Sequence, residues 1–220
     1  MRKDRERVVQ LRRLGKSYSE IRQEVRIPKS TLSEWLSQNG WSKRIKKILT
    51  DKAKEKSAVH LRKLDKIRGV HLARIYEEAR NEARGEFEQF KFHPLFIAGI
   101  SIYWGEGDKI SGNFVRISNV DPLMIRLFVK FLLEVCNAPR ERIRSWVLIY
   151  PDLDDKKCLD FWIKSSGLRR TNFTKCVRIM GKHKTNKVRF GVCNIGISSK
   201  YLKQKFSVWL ELLPKSLLLS

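Results

Sequence analysis

Apolar positions in the first forty or so residues recur in short helical bursts. Val8, Leu11 and Leu14 mark one helix, with Gly15 behind it as a C-cap. Ile21 and Val25 mark a second, for which Ser17 or Ser19 is the N-cap. After the tight turn "RIPK", Ser30 or Thr31 opens a third helix that turns Leu32, Trp35 and Leu36 inward. Lys29, Ser30, Thr31, Ser33 and Glu34 are left to solvent or a ligand.

The pattern then changes twice. Residues 42–92 lack proline and are rich in Ala, Lys, Glu and Arg, which predicts one long helix or two broken near Gly69. Its apolar stripe, which includes Ile45, Ile48, Leu61, Leu64 and Ile67, keeps no clean heptad. The segment therefore reads as a basic helical linker, with a coiled-coil dimer as the alternative. From His93 onward Pro94 starts an apolar, buried helix in which Ala98, Ser101 and Gly105 form a small face open to another helix. That helix should end near Gly107, which leaves Glu106 at its C-terminus. Further on, "RFGVCNIGIS" alternates as a half-buried strand does. The boundaries that follow are 1–41, 42–92 and 93–220.

Charge narrows the function. Lys and Arg number 47 against 23 Asp and Glu, a formal net charge of +24, and the excess is shared by residues 1–92 and 93–220. A polyanion is the fitting partner. No apolar run is long enough for a membrane span, and "MRKDRERVV" leads into no signal-peptide core, so the chain reads as soluble, cytoplasmic and nucleoid-associated, in a bacterial or archaeal cell. Cys136, Cys158, Cys176 and Cys193 stand too far apart for a zinc site and read as reduced core residues, and the histidines do not cluster. Asp152, Asp154 and Asp155 could mimic a metal cluster but suit a solvated helix start better.

Two segments resemble known families. "SYSEIRQEVRIPKSTLSEWL" is similar to the helix-turn-helix of resolvases and related bacterial regulators. The resemblance implies that Lys29, Ser30, Thr31 and Ser33 reach base edges and phosphates of double-stranded DNA. "SISIYWGEG", with its surroundings from Pro94 to about Leu213, resembles the LAGLIDADG homing endonucleases. Ser101 and Gly105 fall on the motif's small helix-contact positions, Glu106 on its final acid, and Trp104 replaces its first acid. The resemblance implies an α+β fold: an all-α helix-turn-helix, a long linker helix, then an αββαββα domain. It also implies that Glu106 binds a catalytic Mg²⁺, that a homodimer brings two such acids together because one motif is present, and that a basic residue serves the scissile phosphate. For the last role "MGKHKTNKVRFG" offers Lys184 or Lys187, which could equally be phosphate contacts. Arg116, Arg144, Lys182 and Arg189 complete the expected DNA-binding set.

Glu106 also poses a physical question. Unpaired carbonyls at a helix C-terminus carry partial negative charge, so an acid there costs about 0.3–1 kcal/mol. A divalent metal, Lys109, or both should offset it. Three functions fit: a metal-dependent DNA endonuclease; a non-cleaving transcriptional regulator, like the sporulation regulators that pair a LAGLIDADG-like domain with a helix-turn-helix in the opposite order; and an accessory factor of a transposon or recombinase, which ranks last.

Overall fold

A computed structural model describes residues 4–180 and 188–218. Among them are eight α-helices and one four-stranded sheet, arranged as two compact units, 1–71 and 72–220. The fold is mixed α and β. No helix among the described residues is long and apolar enough to cross a membrane.

The first unit holds α1 (Asp4–Arg13), α2 (Tyr18–Val25), α3 (Lys29–Leu36) and the first part of α4 (Gly40–Phe90). Ser17 caps α2 in a full capping box: its hydroxyl accepts from the Glu20 amide, and the Glu20 carboxylate accepts from the Ser17 amide. The turn into α3 puts Arg26 in the left-handed region at φ 56°. Helix α3 starts at Lys29 behind Pro28, a residue earlier than the hydroxyl-capped start that the sequence predicts, and has no side-chain cap. Val8, Leu11, Ile21, Ile27, Leu32 and Leu36 form the core, with Trp35 and Trp41 packed against it. Helix α4 runs 51 residues and passes through Gly69 unbroken.

The second unit takes the end of α4, where Ala79, Ala83 and Phe87 are buried, and adds α5 (Pro94–Glu106), β1 (Phe114–Asn119), α6 (Pro122–Glu134), β2 (Ile143–Ile149), α7 (Asp155–Ser166), β3 (Val177–Arg178), β4 (Val192–Ser198) and α8 (Lys200–Leu218). Strand order is β1-β4-β2-β3; β4 lies antiparallel to both neighbours, and β2 and β3 are parallel. Val115, Ile117, Ile143, Val147, Ile149, Cys193, Ile195 and Ile197 point to the helices and build the core with the aromatic rings of α5, α6 and α8. Helices α5 and α6 cross closely at Gly99, where an added Cβ would lie 2.2 Å from the Phe131 ring.

The expected αββαββα order is corrected in two places among the described residues: α7 and the short β3 stand between β2 and β4, and one strand is missing after α5. A single strand, β1, separates α5 from α6 among the described residues. Residues 108–113 instead form a loop, because the Asp108 carboxylate takes the Ile110 and Ser111 amides at 3.0 Å each and turns the chain. Only Gly107 pairs there, as a lone bridge to Ile117. Asp121 caps α6 through the Leu123 amide at 2.8 Å. Asp154 caps α7 through the Lys157 amide, so two of the three clustered acids are at a helix start, and Asp155 pairs with Arg178. All four cysteines are free thiols; Cys158 and Cys193 are buried.

Candidate functional site

Helix α5 turns one stripe inward through Phe96, Gly99, Ile100 and Tyr103. This leaves Ser101, Trp104, Gly105 and Glu106 exposed, and an added Cβ at Gly105 would meet nothing within 4 Å. The small face expected from the sequence is thus open in the single chain. The Glu106 carboxylate is exposed and has no hydrogen bond or ion pair among the described residues.

The cation at this helix end comes from α8. The Lys203 ammonium donates to the Tyr103 hydroxyl at 2.6 Å and to the backbone carbonyl of Asp108, which the Tyr103 hydroxyl also meets at 2.6 Å. Burial lowers the Lys203 pKa and the Asp108 charge opposes that; burial raises the Tyr103 hydroxyl far above its usual value, and Asp108 adds to it. Asp108 in turn pairs with Arg116 at 2.9 Å. The Ser111 amide is the main reason its carboxyl titrates low, with the Ile110 amide, Arg116 and Lys203 adding to the effect against burial. Sequence separation hid this arrangement: Lys203 and Asp108 are far apart in the chain, and nothing local marks their contact. The sequence proposed Lys109 for this place, which is exposed and makes no such contact.

Could Glu106 hold a divalent cation? It offers one free, solvent-facing carboxylate, which suits Mg²⁺, an ion content with one or two carboxylates plus water and phosphate oxygens. The neighbouring acid, Asp108, is committed to amides and Arg116. No group of three or more His, Cys, Asp or Glu able to hold a metal occurs among the described residues. The described residues of one chain therefore supply a single ligand at this helix end, and further oxygens would come from a second chain, water or phosphate.

The sheet face turned away from the helices carries the other expected residues. Arg116 of β1 and Arg144 of β2 flank Gly196 of β4 in one cross-strand row. Ser118, Asn194 and Trp146 make the next row, with Ser118 Oγ 2.5 Å from Asn194 Oδ1. Gly196 keeps the first row low: an added Cβ would come within 2.5 Å of the Arg116 Cβ. Arg116 lies about 6 Å from both the Phe114 and Trp146 rings, at 6.0 and 5.9 Å. Its charge is engaged by Asp108, so it shapes the α5–β1 loop as well as the face. Arg144 is exposed and bonds the Glu141 and Ile143 carbonyls. Arg189 is exposed just before β4. Lys182, Lys184 and Lys187 lie outside the described residues.

In the first unit Lys29, Ser30 and Ser33 are exposed on α3, and Thr31 is half-buried. Lys29 lines two concavities. One, of about 570 Å³, is walled by Ser19, Arg22, Gln23 and Arg26 of α2 and its C-cap. The other lies between α3 and α4. The sequence reading missed Arg22, exposed on α2, and Arg26, exposed at its C-cap.

Comparisons with protein-family models, curated proteins and solved structures return no match for this chain.

Proposed function

We propose that the protein is a sequence-specific double-stranded DNA-binding protein that acts as a homodimer and cleaves DNA with Mg²⁺ held by Glu106. The observation that carries the cleavage reading is the free, solvent-facing Glu106 carboxylate at the end of a helix whose small face, Ser101 and Gly105, is open to a second copy. Binding draws support from the net charge of +24 and from exposed basic side chains on α2, α3 and the sheet face. Arg144 and Arg189 hold phosphates, while α3 meets base edges. Lys203 and Tyr103 fix the Asp108 carbonyl, and with it the chain directly after Glu106. Glu106 would hold a divalent cation, which would supply Lewis-acid activation of water for phosphodiester hydrolysis.

A second reading, a regulator that binds without cutting, is favoured by one contact. Lys203 already places a positive charge against the last turn of α5, so the helix end does not require a metal for balance.

One experiment separates the two. Duplexes selected by the parent protein from a random pool are incubated with Mg²⁺ or Mn²⁺. The endonuclease reading expects strand scission by the parent and none by Glu106→Gln, which still binds. Intact DNA in both metals makes the protein a regulator, and a failure to enrich any duplex refutes both.

A further inference from the structure

The groove between α3 and the first turns of α4 gives the long helix a task beyond joining two units. Its volume is about 700 Å³, with Lys29, Ser30 and Ser33 on one wall and Lys46, Thr50 and Ala53 on the other. Positions 46, 50 and 53 follow one another at helical spacing, so they form a single stripe of α4 beside the solvent-facing side of α3. The second wall is held in place from below. The buried Arg12 guanidinium donates to Ser42 Oγ at 3.1 Å, to the Ser42 carbonyl at 3.1 Å and to the Lys16 carbonyl at 2.7 Å, and it stacks over Tyr18.

Apart from Thr50, whose hydroxyl donates to the Lys46 carbonyl, the polar wall residues are uncommitted. The side chains of Lys29, Ser30, Ser33 and Lys46 have no hydrogen bond or ion pair among the described residues, and no described acid lines the groove. Pro28 offers α3 no side-chain cap, so the first amides of α3 also lack that acceptor. Two ammonium groups and two free hydroxyls above an apolar floor of Leu49 and Ala53 match an anionic backbone with its sugars. Two unpaired lysines with no acid beside them favour that occupant over an apolar peptide, and the charge repels a second copy of this basic helix.

We propose that this groove seats one phosphate strand of the duplex whose bases α3 reads, so that α4 is the second jaw of the DNA grip. The inference rests on the DNA-binding function proposed above. Lys29 and Lys46 pair with phosphates from the two walls, and the Ser30 and Ser33 hydroxyls donate to phosphate oxygens, whereas the Thr50 hydroxyl already donates to the Lys46 carbonyl at 2.8 Å.

The test uses the full chain and measures affinity for a duplex selected by the parent, and for a random duplex, across a salt series. Lys46→Gln should weaken both duplexes alike, roughly tenfold, and lower the slope of log affinity against log salt by about one. Ala53→Phe fills the groove without touching charge and should weaken binding at least as much. Ser33→Ala removes a hydroxyl that is unpaired among the described residues and should give a smaller loss in the same direction. Lys47→Gln, one position off the stripe, should keep more of the parent's affinity than Lys46→Gln. Parent-like affinity and slope in Lys46→Gln and Ser33→Ala overturn the groove assignment while the parent's own binding leaves the proposed function standing, and parent-like binding by a folded Ala53→Phe does the same. A parent that binds no duplex overturns both.

Discussion

Replacing Gly99 by Ala and, separately, Gly105 by Ala should move stability in opposite directions, although both lie on α5. At Gly99 the new methyl would sit 2.2 Å from Phe131 Cγ and 2.4 and 2.5 Å from its Cδ atoms. Carbon atoms at rest are about 3.5–4.0 Å apart, so the ring would have to withdraw by more than 1 Å. It has nowhere to go: Phe131 is fully buried, with ring centroids of Phe206, Phe128 and Phe96 at 5.7, 6.0 and 6.3 Å. Overpacking of this kind costs about 1–3 kcal/mol, and the caged ring argues for the upper end. Alanine's helix preference returns about 0.8–1 kcal/mol, for a net loss of about 2 kcal/mol. At Gly105 the methyl meets nothing within 4 Å, so only the helix preference remains, reduced in the last turn. The two variants should differ by about 2–3 kcal/mol, or roughly 5–10 °C in the melting of the 72–220 unit. Scanning calorimetry of the full chain, with near-ultraviolet dichroism to follow the aromatic cluster, reads this directly. A Gly99→Ala protein that melts at or above the parent would mean that the α5–α6 crossing is not set by this contact. Gly105→Leu extends the test to function: the single chain should stay as stable as the parent, whereas self-association through the small face, followed by sedimentation with and without DNA, should be lost.

Asp108→Asn keeps acceptors for the Ile110 and Ser111 amides but loses the ion pair with Arg116, so stability near neutral pH should fall. The native carboxyl titrates below its unfolded value, so the parent should hold its full advantage above about pH 4 and lose it in more acid solution, where the two chemical denaturation curves should converge. Arg144→Gln should weaken selected and random duplexes equally and reduce the salt slope by about one in fluorescence anisotropy titrations, because an exposed arginine on a sheet face meets backbone. Gly196→Ala should destabilise the β1–β4 pairing by about 1–3 kcal/mol in urea unfolding, since its Cβ would stand 2.5 Å from the Val115 carbonyl oxygen.

Local chemistry made much of this fold readable. The hydrophobic spacing and cap of Ser17 placed α2, the acids around Asp154 marked the start of α7, and alternation around Cys193 placed β4, because each of those signals acts within a few residues. Ser30 or Thr31 as the start of α3 was a residue or two late, since Pro28 fixes its own φ and lets the helix begin without a hydroxyl cap. A second strand after α5 was expected from the family pattern, and Asp108 turned the chain instead. At the candidate site, Glu106 and the small face could be read from one stretch of sequence. Lys203 could not: its approach to Tyr103 and Asp108 depends on the docking of α8, and tertiary packing leaves no period in the sequence. The wall that Lys46 and Thr50 give to α3 was hidden for the same reason.

The strand order of the sheet has a consequence for how the second unit is made. Strand β4 stands between β1 and β2, yet it is the last strand to be synthesised. Until it arrives, β1 has only the lone bridge to Gly107, and β2 has only the two-residue β3 and a lone bridge from Ser145 to Phe173 among the described residues. Most of the ladder therefore joins residues far apart in sequence, while the first unit is closed by helices that are neighbours in the chain. Contacts of the first kind form slowly and leave strand edges exposed meanwhile. The helical unit can be complete while its companion is still an open sheet, and refolding from denaturant should show a fast helical phase followed by a slow one in which β4 and α8 enter together.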